Sequence, residues 1–106
     1  MQELTIQEEI ILTAIYRLKE EAYGVSIRKA IAEITNKKMM YGTLYNTLSQ
    51  LLRKGYVSKT KGEPSAARGG RSKMYYRVTR DGLKALQHTR ELHRSIWKGI
   101  PEFVIE

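Results

Sequence analysis

The 106-residue sequence predicts a mostly helical α+β domain, and three observations carry that prediction. Apolar residues recur at helical spacing in four stretches, one pair of β-rich segments flanks a Gly-rich loop, and the excess positive charge falls between Asn36 and Arg80. From Met1 to Thr35 six Glu face four Lys or Arg, and from Asp81 to Glu106 four acids face four bases. The segment between them holds eleven Lys and Arg against the single acid Glu63. A near-neutral scaffold presenting one basic helix-and-hairpin surface implies a polyanionic partner, with nucleic acid the leading candidate.

The length suits one domain, or one small domain with an appended element, and 42% hydrophobic content can supply its core. It does not suit a large enzyme cleft. The absence of Cys removes disulfides, thiolate metal sites and cysteine nucleophiles. No basic leader precedes an apolar run, and no apolar stretch approaches the ~20 residues that span a bilayer. The expected location is therefore cytoplasmic.

The first helix is read from Ile6, Ile10, Ile11, Ala14, Ile15 and Leu18, with Thr5 and Glu8 spaced as a capping box. Leu12 and Tyr16 fall outside that stripe, which implies a second packing surface. Tyr23-Gly24 interrupts the pattern, Ser26 is a candidate cap, and Ile27, Ile31 and Ile34 form the inner face of a short second helix ending at Thr35-Asn36. From Thr43 to Lys54 the faces divide most cleanly. Leu44, Tyr45, Leu48, Leu51 and Leu52 gather on one side, opposite Thr43, Asn46, Thr47, Gln50, Arg53 and Lys54, before Gly55 stops the helix.

Tyr56 to Lys61 and Lys73 to Thr79 read as strands around a loop from Gly62 to Arg71. Thr79 then caps a last helix with Asp81 in its first turn, and Gly99 and Pro101 mark its end. Leu83, Leu86, Leu92, His93, Ile96, Trp97 and Ile100 fall on one half of this helix, whose roughly 27 Å length leaves its distal part without an intrachain partner. The order of three helices, strand, loop and strand is a winged helix-turn-helix with a long C-terminal dimerisation helix appended. The expected division is a DNA-binding domain over 1–80, with its recognition helix at about 43–54 and wing over 56–79, followed by a dimerisation helix and tail over 81–106.

The third helix takes the recognition position. Asn46 and Gln50 offer paired amide donors and acceptors to base edges, Thr43 and Thr47 offer hydroxyl or methyl, and Lys54 can reach phosphate. Any surface helix needs a polar side, so the adjacent basic hairpin is what turns this face toward readout. The residues expected to meet DNA from this helix are Tyr41, Thr43, Tyr45, Asn46, Thr47, Gln50 and Lys54. In the wing, Arg68 and Arg71 bracket Gly69 and Gly70, and missing Cβ atoms let a backbone approach a phosphate closely. Lys37, Lys38, Lys61 and Lys73 complete the backbone contacts.

The stretches Glu20 to Gly24, Gly42-Thr43-Leu44-Tyr45, Gly55-Tyr56-Val57 and Arg68 to Gly82 together resemble the PadR family of bacterial winged-helix transcriptional regulators. The resemblance runs from Leu4 to Ile100 and matches the short form with a single C-terminal helix. It implies a homodimeric repressor that binds a pseudo-palindromic operator of double-stranded DNA. Met39-Met40 depart from the family's more polar or β-branched pair.

Dimerisation is also expected from the residues, because the last helix and the first each carry apolar surface that a two-fold partner would bury. The expected interface comprises Leu12, Tyr16, Leu86, Leu92, His93, Ile96, Trp97 and Ile100. Trp97 reads first as an interface anchor; together with His93 it is also a candidate wall for a small aromatic effector, since some members of the resembled family bind flat aromatic compounds. No catalytic residues, cofactor or metal site are expected: His88 and His93 point from different sides of a helix, and no phosphate loop precedes one. A winged-helix RNA-binding module or a protein-interaction module would use the same basic surface.

Overall fold

Helix α1 (Ile6–Leu18) starts where its capping chemistry places it, in a computed structural model that describes residues 3–64 and 72–106. The Thr5 hydroxyl accepts from the Glu8 amide at 3.1 Å, and the Glu8 carboxylate accepts from the Thr5 amide at 2.8 Å. Two amides that the helix leaves unpaired are thereby satisfied. A 3-10 turn, Lys19–Glu21, leads to α2 (Gly24–Thr35). The capping position falls on Tyr23 rather than on Ser26, whose hydroxyl accepts the Tyr23 amide at 2.9 Å from three residues inside.

Helix α3 (Tyr41–Lys54) begins two residues ahead of the expected Thr43 and ends at Gly55, whose φ of 76° places it in the left-handed region glycine favours. Strands β1 (Val57–Pro64) and β2 (Ser72–Val78) form an antiparallel hairpin with pairs from Val57–Val78 to Lys61–Met74, then an irregularity before Pro64–Ser72. Gly62, Glu63 and Pro64, expected in the loop, therefore belong to β1. The Tyr75 ring lies against Gly62, where a Cβ would meet its Cε2 at 2.6 Å, so the glycine makes room for the ring at the irregularity. The wing-tip residues Arg68, Gly69, Gly70 and Arg71 lie outside the described residues.

The core surrounds α1. Ile11, Leu12, Ala14 and Ile15 are buried against Ile27 and Ile31 of α2, Leu44, Leu48 and Leu51 of α3, and Tyr56, Val57 and Tyr76 of the hairpin. Each fully buried Leu or Ile contributes about 1.5 to 3 kcal/mol. The expectation that Leu12 faces a partner is thus corrected: α1 packs against α2, α3, β2 and the last helix, so more of its circumference is enclosed than a one-sided amphipathic helix would need.

Helix α4 (Arg80–Trp97) is capped by Thr79, whose hydroxyl accepts from the Gly82 amide at 3.1 Å and donates to the Gly55 carbonyl at 2.6 Å. One side chain therefore joins the end of α3 to the start of α4. Gly82, Ala85 and Thr89 form the buried face of α4, and a Cβ on Gly82 would overlap the Tyr56 carbonyl oxygen. The inward use of these small residues is not in the sequence reading, whereas an uncovered distal stripe is what that reading expects. Small residues face inward because the backbones approach closely, so Leu83, Leu92, Ile96, Trp97 and Ile100 stay exposed and Leu86 alone of that stripe packs partly on the core. No described helix is long and apolar enough to cross a membrane.

Candidate nucleic-acid interface

The outer face of α3 presents Tyr41, Asn46, Ser49, Gln50 and Arg53 to solvent, with Thr43 half-buried at its edge. Asn46, Gln50 and Thr43 line one shallow groove with Thr5, Ile6 and Gln7 of the α1 start, about 570 Å³ in volume. Lys37 and Lys38 flank a second, of about 380 Å³, with Gln7, Met40 and Thr43. Uncharged hydrogen-bonding groups thus occupy the centre of the surface and cations its margin, which is the division that base reading and phosphate anchoring require.

Two expected DNA contacts are corrected. Thr47 is only 4% exposed, and its hydroxyl donates to the Thr43 carbonyl at 2.9 Å, so it forms part of the groove floor with its donor already used within the helix. Lys54 Nζ lies 2.6 Å from Glu8 Oε2, and Glu8 is fully buried, so this ammonium neutralises an internal carboxylate. Burial pushes the Glu8 carboxyl upward, but the Lys54 hydrogen bond and charge and the Thr5 hydrogen bonds outweigh it and hold the group below its ordinary 4.5.

Tyr45, read from the sequence as part of the apolar stripe, is 46% exposed and belongs to the outer surface. Its ring stacks on Tyr41, one turn earlier, at 6.2 Å between centroids and 20° between planes. The Arg28 guanidinium of α2 lies 4.6 Å from the Tyr41 ring centroid, and its Nε donates to the Met39 carbonyl at 2.7 Å. At the other end of the stack, the Tyr45 hydroxyl sits where a Cβ on Gly24 would be. Met39 packs against the core and Met40 stays exposed, so the departing pair divides between inside and outside.

On the hairpin, Lys61 is exposed, as is Lys59 on the same strand. Lys73 is half-buried, and its Nζ lies 3.8 Å above the Tyr23 ring, which itself meets Tyr75 edge-on at 5.7 Å. Burial raises the Tyr76 hydroxyl above its ordinary 10.0, helped by the nearby Tyr45 phenol. The Tyr76 amide donates to the Ala22 carbonyl at 2.8 Å, and a Tyr23–Tyr75 bridge extends that contact. These bonds anchor the base of the wing to the start of α2.

The second expected surface lies on the other side of α1. Tyr16 is 61% exposed, while Leu92, Ile96, Trp97 and Ile100 line the open side of α4. His93 Nε2 meets both Glu9 carboxylate oxygens at 3.0 and 3.1 Å, so within this chain it links α4 to α1. It borders a groove of about 490 Å³ with Glu9, Tyr16, Leu83, Leu86 and Arg90. Trp97 is not in that groove; its ring packs at 5.9 Å from Phe103 of the tail. The structure therefore brings Tyr16 and His93 together and leaves Trp97 one turn further along.

Sequence reading gives Arg28 no role and takes Gly24 only as a break between helices; their contacts carry no local signal, because the partners Tyr41 and Tyr45 lie beyond the turn between α2 and α3. Lys59 was overlooked beside Lys61, although strand alternation would have separated the two from Lys73.

The family model described as Transcriptional regulator PadR-like family matches residues 11–88. No curated protein matches the chain. Among solved structures, a transcriptional regulator from Clostridium thermocellum is similar at 27% identity with a TM-score of 0.72, covering 92% of each chain. A complex structure of hsRosR is 26% identical with a TM-score of 0.73, over 92% of this chain and 80% of that one. A PadR family transcription regulator from Clostridium difficile shares the fold at 23% identity and a TM-score of 0.68, over 86% of this chain and 91% of that one. The family model spans most of the chain, and the fold is that of these regulators: the chain belongs to the PadR-like family of transcriptional regulators, which are not enzymes.

Proposed function

We propose that the chain is a sequence-specific, double-stranded-DNA-binding repressor that acts as a homodimer on a pseudo-palindromic operator. Residues 1–80 bind DNA and residues 81–106 pair with a second copy. Asn46, Gln50 and Thr43 of α3 read base edges in the major groove, Tyr41 and Tyr45 border them, and Lys37, Lys38 and Lys61 neutralise phosphates. Arg68, Gly69, Gly70 and Arg71 of the wing contact the phosphate backbone, and Lys73 supports the start of β2. The observation that carries this reading is the absence of any Asp or Glu between Glu33 and Glu63, a span that includes all of α3 and most of β1.

Pairing through the open side of α4 and Tyr16 would bury Leu92, Ile96, Trp97 and Ile100, and helix-turn-helix dimers set their reading helices about 34 Å apart. A small aromatic effector entering beside His93 and Trp97 would change that spacing and release the DNA. Domain division, dimer and effector rest on the exposed apolar stripe and on the family to which the chain belongs.

The test is a gel shift with duplex DNA from upstream of the chain's own reading frame, at two salt concentrations and with structured RNA as competitor. A specific shift that weakens with salt and survives the RNA supports the reading. Preference for the RNA, or no duplex binding at low salt, overturns it.

A further inference from the structure

Two pairs of residues face one another across the helix-turn-helix at matching intervals. Gly24 and Arg28 are one turn apart on α2, and Tyr41 and Tyr45 are one turn apart on α3. Arg28 closes over Tyr41 at 4.6 Å, Tyr41 stacks on Tyr45 at 6.2 Å, and the Tyr45 hydroxyl occupies the space that a Cβ on Gly24 would fill. Each rung depends on the chemistry of its residue. The guanidinium is flat enough to cover a ring while its Nε–H is spent at 2.7 Å on the Met39 carbonyl, just before α3 begins. A lysine would bring the charge without the plane or that directed bond.

We propose that Arg28 is a positioning residue for DNA reading: it fixes Tyr41 and Tyr45 as a stacked rail along the edge of α3, so that the two rings border Asn46 and Gln50 in one arrangement. The inference rests on the reading of α3 as the recognition helix. It adds a residue on α2 that sets specificity without touching a base. Tyr41 and Tyr45 are 42% and 46% exposed, so the rail is not part of the core and its order depends on the two ends that hold it. Met40, at the same turn, is 75% exposed and supplies no alternative packing.

The experiment uses the full chain. Wild-type protein first enriches a duplex from a random-sequence pool; affinities for that duplex and for a scrambled one of equal length are then measured for wild type, Arg28→Lys, Arg28→Met and Gly24→Ala. The Gly24→Ala variant pushes the Tyr45 hydroxyl aside from the opposite end of the rail while leaving Arg28 intact. Arg28→Lys and Gly24→Ala should each reduce the ratio of the two affinities by about tenfold, the scale of one good base contact. The slope of log affinity against log salt should stay at the wild-type value in all three variants, since no phosphate contact is lost. Thermal melting of each variant keeps loss of fold from passing as loss of specificity.

A wild-type affinity ratio in Arg28→Lys overturns the proposal, because charge alone would then suffice. A salt slope lowered by about one in Arg28→Met and restored in Arg28→Lys also overturns it, by making Arg28 a phosphate contact. If wild-type protein enriches no duplex at all, the recognition-helix reading falls and this inference falls with it, a failure distinct from unequal behaviour among the variants.

Discussion

Lys54→Met keeps the length of the side chain and deletes the ammonium that lies 2.6 Å from Glu8 Oε2. Glu8 has no solvent exposure, so its carboxylate would keep only the Thr5 partner at 2.8 Å. Removing one member of a buried ion pair costs about 3 to 5 kcal/mol, because the other charge is left unpaired in a poorly solvated site. Here the lysine is 24% exposed and the Thr5 bond survives, which brings the expected cost to about 2 to 3 kcal/mol. For a domain of this size that lowers Tm by roughly 10 to 15 °C. Scanning calorimetry on wild type, Lys54→Met, Glu8→Gln and the double variant measures it, and the double variant should melt above Lys54→Met because no buried charge remains. A Lys54→Met protein that melts within about 2 °C of wild type would refute the reasoning. So would a salt slope for DNA lowered by about one, since an ammonium held by Glu8 is not a phosphate contact.

The same pair sets a pH dependence. The folded Glu8 carboxyl lies below its ordinary 4.5, so its contribution is complete above the unfolded value and is lost as pH falls through the folded one. Wild-type Tm should therefore drop more steeply below about pH 5 than that of Glu8→Gln, followed by calorimetry across that range. Asn46→Ala and Gln50→Ala should each narrow the gap between operator and scrambled duplex by about 1 to 3 kcal/mol, measured by competition binding. Trp97→Lys places a charge on the open stripe of α4 and should shift the chain toward monomer in sedimentation, with little change in Tm at low concentration.

Local chemistry was legible where it acts locally. Thr5 and Glu8 declared the start of α1, Gly55 the end of α3, Thr79 the start of α4, and the leucines of α3 their own face, because each signal lies within one or two turns. What escaped was chemistry that crosses the chain. Glu8 read as a capping residue and Lys54 as a surface cation, and nothing within a window of either residue pairs them across the fold. Thr47 looked like a neighbour of Asn46, yet its hydroxyl can bond the preceding turn's carbonyl and then needs no solvent. On α4 the large apolar stripe read as uncovered within the chain, and it is; what carried no local signal is the inward contact of Gly82, Ala85 and Thr89, which depends on the close approach of the Tyr56 backbone. The groove beside Asn46 and Gln50 was half visible: α3 supplied its wall, but the α1 start that completes it came only from the folded chain.

The small-residue face of α4 also divides that helix into halves with different reasons to be helical. From Gly82 to Thr89 it is held by buried contacts, while every residue from Glu91 to Ile100 is exposed and the His93–Glu9 hydrogen bond ties that part to α1 at one point. These last turns extend a helix already nucleated, so they need no packing to form, but without it they fray readily. Amide hydrogens beyond Thr89 should therefore exchange at a rate set by whatever lies against that stripe, and would slow as protein concentration rises if a second copy is what lies there. Exchange kinetics along one helix would then report assembly residue by residue, without a label and without DNA.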